Sequence, residues 1–145
     1  MILVDTSIWA EMFRRGRFKA ELATLIGNDQ LCTHPFVVAE LACGYLPNRQ
    51  QTLIELDKLT ALPTIRTADV RYMLETRGLF SKGIGFIDAQ LIASCITSHG
   101  TQIWTIDKPL ARVAESLGLR ATPYPFADAF AVAGVRSRTG LGQNS

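Results

Sequence analysis

Four carboxylates stand where apolar residues would be expected. Asp5 ends the run Ile2-Leu3-Val4, and Asp107 ends Ile103-Trp104-Thr105-Ile106. Glu40 lies inside Phe36-Val37-Val38-Ala39-Glu40-Leu41-Ala42-Cys43, with Phe36, Val37 and Cys43 at helical spacing around it. Asp88 shares a helical stripe with Ile84, Ile92 and Cys95. A charge on such a stripe must reach a cleft or find a partner, because uncompensated burial is expensive. Each acid also has a plainer reading. Asp5 and Asp107 can cap the helices that follow them, and Asp88 suits the first turn of its own helix. If the four converge, they repel one another unless a cation is present. An all-oxygen set without His or Cys suits Mg²⁺ or Mn²⁺ rather than zinc. Such an ion orients water, lowers its pKa and offsets charge on a phosphodiester, so the pattern predicts metal-dependent phosphoryl chemistry.

Other residues have side chains that could do chemistry. His34 and His99 could form an acid–base pair acting through a 2′-hydroxyl, but neither has an orienting partner in the sequence, and His99 suits a helix C-terminus. Ser7 has no nearby histidine to activate it and reads as a hydroxyl ordering the Asp5 loop. Arg14, Arg15 and Arg17, with Lys19, form a basic cluster that is either a solvated loop or an RNA-backbone contact; Glu11 and Glu21 flank it. Trp9 and Phe86 are candidates for stacking on bases, while Trp104 belongs to a buried strand.

These residues need elements to position them. The 145-residue chain is 48% hydrophobic and 19% charged with a net charge of +2, which fits one globular domain and excludes general disorder. The spacing predicts strands at Ile2–Val4, Leu31–Thr33, Leu62–Ile65, Gln102–Ile106 and Leu119–Thr122. Helices are expected over Thr6–Phe13, Phe18–Ile26, Phe36 to about Leu46, a segment capped by Asn48 with Leu53, Leu56 and Leu59 on one face, Thr67 to about Leu79, Phe86–Ser98 and Pro109–Leu117. Strands alternating with helices argue for a parallel sheet covered on both faces. In such sheets ligands bind beyond the carboxyl ends of the strands, where Asp5 and Asp107 stand. Residues 1–125 read as the domain and 126–145 as a short, partly disordered extension. Cys32, Cys43 and Cys95 read as reduced, buried small hydrophobes, which suggests a cytoplasmic protein. No targeting segment is visible. The uncharged stretch from Ala89 to Ile106 is interrupted by polar residues, so no membrane span is expected.

Val4-Asp5-Thr6-Ser7, Val38-Ala39-Glu40-Leu41, Ile87-Asp88-Ala89-Gln90-Leu91-Ile92-Ala93 and Thr105-Ile106-Asp107 resemble the acidic motifs of PIN-domain ribonucleases. Size, acid order and coverage from about Met1 to Thr122 are similar to VapC-like toxins of toxin–antitoxin pairs. The resemblance implies a three-layer α/β/α PIN-like domain with a central parallel sheet. It implies an endoribonuclease that cuts single-stranded RNA using Mg²⁺ or Mn²⁺ and leaves a 5′-phosphate and a 3′-hydroxyl. Asp5, Glu40, Asp88 and Asp107 match the family's acids, with Asp5, Asp88 and Asp107 as the expected metal ligands. Thr105 matches its site-ordering hydroxyl residue. A cognate antitoxin whose tail lies across the acids, and a homodimer, are implied likewise.

Two alternatives stay open. A catalytically silent PIN-like module would bind RNA or a partner without cutting. An aspartate-based phosphatase would want a second aspartate two residues after the first, where this chain has Ser7.

Overall fold

A computed structural model describes residues 1–121. Strand β1 (Ile2–Val4) occupies the middle of the sheet, and Leu3 and Val4 are wholly buried. An apolar run without alternation suits a strand covered on both faces. β1 pairs in parallel with β2 (Leu31–Thr33) on one edge and with β4 (Gln102–Trp104) on the other. β3 (Thr60–Ala61) extends the sheet beyond β2, giving the order β3-β2-β1-β4, all parallel. A single bridge from Ile103 to Arg120 lies on the far side of β4.

Among the described residues seven helices accompany these strands: α1 (Thr6–Arg15), α2 (Lys19–Gly27), α3 (Pro35–Ala42), α4 (Arg49–Asp57), α5 (Thr67–Thr76), α6 (Phe86–Thr97) and α7 (Lys108–Ser116). From β1 to β3 the chain steps one way across the sheet. It then returns past β1 to β4 and continues outward. Parallel crossovers are right-handed, so reversing direction moves the connecting helices to the opposite face. Helices α1–α4 therefore cover one face and α5–α7 the other, consistent with the observed packing of α1 on α3, α3 on α4 and α5 on α6. The expected three-layer α/β/α architecture is the one found. The reversal opens a crevice at the carboxyl ends of β1 and β4, the usual ligand position in a doubly wound sheet.

Several boundaries differ from expectation. Helix α3 stops at Ala42 because the Arg49 guanidinium takes the carbonyls of Ala42 and Gly44. Strand pairing occurs at Thr60–Ala61 instead of Leu62–Ile65. Leu62 donates one more bond to the Thr33 carbonyl at 2.8 Å, and Pro63 then has no N–H to continue. Side chains of α6 satisfy the following backbone. Gln90 bonds both the N–H and the carbonyl of Ile65, and Ser94 donates to the Pro63 carbonyl at 2.7 Å. Asn48 occupies the start of α4 with φ +46°, but its side chain makes no capping bond. Helix α5 ends at Thr76, where Gly78 at φ +62° turns the chain and Leu79 N–H reaches the Leu74 carbonyl. β4 ends at Trp104, two residues earlier than expected, and of the strand expected at Leu119–Thr122 the described residues, through Ala121, form the single Arg120 bridge. The proposed extension at 126–145 lies outside the described residues.

Candidate active site

Asp5 and Asp107 enter the crevice from neighbouring strands, and each also caps a helix. Asp5 Oδ2 accepts from the Ser7 amide at 3.4 Å, and Asp107 Oδ2 accepts from the Leu110 amide at 3.1 Å. Capping and exposure to a ligand are thus compatible, because in both residues Oδ1 takes none of the hydrogen bonds found among the described residues. Asp5 is only 5% exposed, and its Oδ2 also receives the hydroxyls of Ser7 and Thr105, each at 2.7 Å. With both hydroxyl protons spent on this carboxylate, the 3.2 Å approach of Ser7 Oγ to Thr105 Oγ1 is a close contact of acceptors. Those acceptors take backbone donors: Ser7 Oγ from Ile106 N–H at 3.2 Å and Thr105 Oγ1 from Asp107 N–H at 3.0 Å. Thr105 therefore couples Asp5 directly to the backbone that carries Asp107.

Asp88 sits in the first turn of α6, three residues after the Gly85 N-cap. Its carboxyl is pushed up to about 6, first by burial and then by the negative charges of Asp5 and Asp107, with a further contribution from Glu40. All three other acids therefore act on Asp88. Glu40, on the exposed side of α3, accepts the Thr6 hydroxyl at 2.8 Å and lines a groove of about 310 Å³ with Arg14 and Tyr45. Val37 of the same stripe is wholly buried, but Cys43, at the C-cap of α3, is exposed rather than buried as expected. Cys32 and Cys95 are buried, which pushes their thiols up to about 11 and about 12.

The basic cluster divides. Arg15 and Arg17 hold the buried Glu11 carboxylate at 2.8 and 3.1 Å, which keeps that acid below its ordinary range. Arg17 also lies over the Phe18 ring, 4.6 Å from its centre. Arg14 makes no ion pair among the described residues and faces the groove beside Glu40. Trp9 is buried and stacked on Phe13, whereas Phe86 is 46% exposed at the start of α6.

Both nitrogens of the fully buried His34 are engaged. Nδ1 accepts the Phe36 amide at 3.0 Å, so Nε2 carries the proton and meets Ser94 Oγ at 3.0 Å. This arrangement leaves His34 no role as an acid–base partner for the exposed His99. Sequence reasoning missed the structural use of His34, Gln90 and Ser94 and the contact of Thr6 with Glu40. Two polar residues in an otherwise apolar helix signalled the first; a hydroxyl directly after a strand-ending acid signalled the second.

An oxygen-only set from Asp5, Asp88, Asp107 and Glu40 fits a hard divalent cation in chemistry, and the raised Asp88 carboxyl marks negative charge that such an ion would relieve. As placed, no three His, Cys, Asp or Glu side chains among the described residues are grouped closely enough to hold one.

The fold and the crevice define a doubly wound α/β domain with an acid-lined mouth at its topological switch point. This chain belongs to the PIN domain family, whose sequence model matches residues 2–116. It is 39% identical over 117 residues to Ribonuclease VapC32 of Mycobacterium tuberculosis, covering 80% of this chain and 93% of that one. Among solved structures, FitAcB from Neisseria gonorrhoeae superposes with a TM-score of 0.53 at 25% identity, covering 79% of this chain and 94% of that chain. PAE2754 from Pyrobaculum aerophilum gives a TM-score of 0.54 at 16% identity, covering 80% and 90% respectively, and shares the fold. No helix among the described residues is long and apolar enough to cross a membrane.

Proposed function

We propose that this chain is an endoribonuclease that cuts single-stranded RNA and acts as the toxin of a toxin–antitoxin pair. The observation that supports the reading is that Asp5 and Asp107 stand at the ends of neighbouring strands, joined through Thr105, in a chain 39% identical to a protein named as a ribonuclease. Asp5, Asp88 and Asp107 would hold Mg²⁺ or Mn²⁺, with Glu40 as the fourth acid. When bound, the ion supplies a hard positive centre that activates water and offsets charge on the phosphodiester. Ser7 and Thr105 fix the orientation of the Asp5 carboxylate, and Thr105 ties the Asp107 backbone to it. Thr6 holds Glu40 by Oε1 and leaves Oε2 without a bond among the described residues. Such fixed acceptors reduce the reorganisation needed when a substrate arrives.

A cluster of carboxylates is also a receptor for arginine or lysine, so an antitoxin bearing a basic segment is the expected inhibitor across these four acids. A cytoplasmic location, which the three unpaired cysteines suggest, and a homodimer, which the family resemblance implies, complete the reading.

The test is incubation with a mixed RNA pool, with and without Mg²⁺ or Mn²⁺, followed by mapping of cut ends. Metal-dependent cuts with 5′-phosphates, lost in Asp5→Asn and Asp107→Asn forms that still fold, are expected. Cyclic-phosphate ends would overturn the mechanism. No cleavage of any pool with either ion would overturn the ribonuclease reading in favour of a silent binding module.

A further inference from the structure

The groove beside Glu40 has a composition that the four acids do not explain. Phe13 and Ala10 of α1 line it together with Thr6, Glu40, Arg14 and Tyr45. It therefore combines an apolar lining that includes the Phe13 ring with one cation, Arg14, and one exposed aromatic ring, Tyr45, and its Thr6, next to Asp5 in sequence, is hydrogen-bonded to Glu40. Tyr45 is 73% exposed, yet its backbone is tightly held. On one side the Arg49 guanidinium binds the carbonyls of Ala42 and Gly44; on the other, Leu46 is anchored in the core. An exposed ring on a pinned turn is a preorganised platform, which loses little freedom when something stacks on it. The positive charge at this spot is equally selective. Glu11 engages Arg15 and Arg17, so of these three clustered arginines the one without an ion pair among the described residues, Arg14, is the one lining the groove.

We propose that this groove is a nucleotide subsite for the RNA strand. Tyr45 stacks on a base flanking the scissile phosphodiester, and Arg14 contacts an adjacent backbone phosphate. An aromatic face with a neighbouring cation is the usual combination for holding single-stranded nucleic acid. The acids alone would repel a polyanion, so a nearby binding element must hold the strand in place. The subsite deepens the ribonuclease reading and rests on it for the identity of the ligand.

The experiment uses a short single-stranded RNA with 2-aminopurine placed in turn at each position near the preferred cut site, or in a mixed-sequence strand if nothing is cut. Binding is followed in metal-free buffer by fluorescence quenching, and cleavage in Mn²⁺. One position should show strong quenching on binding to the wild-type chain. Tyr45→Ala should abolish that quench and weaken binding about 5- to 100-fold, the range expected from losing one stacked base. Its effect should appear in KM far more than in kcat, and Tyr45→Phe should restore the quench. Arg14→Ala should weaken binding and lower the slope of log affinity against log salt by about one phosphate contact, whereas Tyr45→Ala should leave that slope unchanged. Tyr72→Ala, which removes an equally exposed ring on α5, serves as the control and should change nothing.

Quenching that survives in Tyr45→Ala, or binding unaffected by both Tyr45→Ala and Arg14→Ala, would overturn the subsite. If such variants still cut RNA, the ribonuclease reading stands without it. An absence of metal-dependent cleavage alongside Tyr45-dependent quenching would sink the ribonuclease reading and leave the subsite in place.

Discussion

Replacing Asp88 with asparagine should make the metal-free protein more stable, although the residue belongs to the proposed active site. Burial and three neighbouring acids lift this carboxyl from an ordinary value of 3.8 to about 6. A rise of roughly two units corresponds to about 3 kcal/mol of folded-state penalty near neutral pH. Asp88 is only about half-buried, and water screens part of the repulsion, so about 1 kcal/mol is the realistic gain. For a domain of this size that is about 3–5 °C in Tm. Asparagine is nearly isosteric, so the substitution removes the charge with little change in packing. The pH dependence identifies the cause. A carboxyl whose folded pKa is raised favours the folded state at low pH and loses that advantage as pH rises through about 6. The difference between variant and wild type should therefore be full above about pH 7, shrink as pH falls through about 6 and vanish near 4. Thermal melts in a chelating buffer from pH 4 to 8 measure it, and added Mn²⁺ should raise the wild-type Tm more than the variant's. An increment of the same size at every pH, or a variant less stable throughout, would refute the argument that these acids act on one another.

Three further outcomes follow from the geometry. Thr105→Val should cost about 1 kcal/mol, because it removes a hydroxyl that donates to Asp5 and accepts from the Asp107 amide; RNA cleavage should fall with it, and Thr105→Ser should recover both in melts and cleavage assays. Burial lowers the His34 pKa below its ordinary 6.5, so its contribution to stability is complete above that value and is lost as pH falls. In the Asp88→Asn background, which lacks the opposing carboxyl effect, urea titrations should show stability declining below about pH 6.5, and a His34→Gln form should lack that decline. Glu11→Gln should release Arg15 and Arg17 from their ion pairs, raising affinity for an RNA oligonucleotide and steepening its salt dependence; unchanged binding would show that neither arginine can reach the strand.

The acids were legible in the sequence because a charge that ends an apolar run, or interrupts an apolar helical stripe, departs from what burial demands. Asp5 and Asp107 could be placed further, since strand ends in a parallel sheet have a fixed relation to ligand sites. Other features turned on partners distant in sequence. Leu62–Ile65 has the composition of a buried strand, but Pro63 ends the pairing and Gln90 and Ser94 take over the backbone groups from another element. Helix α3 could continue past Ala42 by its own residues until Arg49 takes its terminal carbonyls. Cys43 was misread for a related reason: it lies just past the end of α3, where the chain runs exposed through Gly44 and Tyr45, so apolar neighbours in sequence did not become a buried environment. The division of the arginines depended on Glu11, whose spacing to Arg15 was visible but whose burial was not.

The central position of β1 also bears on how this chain is made. Its partner on one side, β2, follows within about thirty residues, but β4 on the other side begins only at Gln102. During synthesis, β1 must therefore spend most of the elongation period as an edge strand with unpaired backbone groups, the form most open to wrong pairing. The hydroxyl bond from Thr105 to Asp5 closes over a separation of 100 residues. A ribosome-bound fragment ending before that point holds Asp5, Glu40 and Asp88 but has neither Thr105 nor Asp107 to complete the crevice. On the proposed reading, such a fragment is harmless to the RNA of the ribosome making it, and the capacity to cut arises only once β4 has entered the sheet.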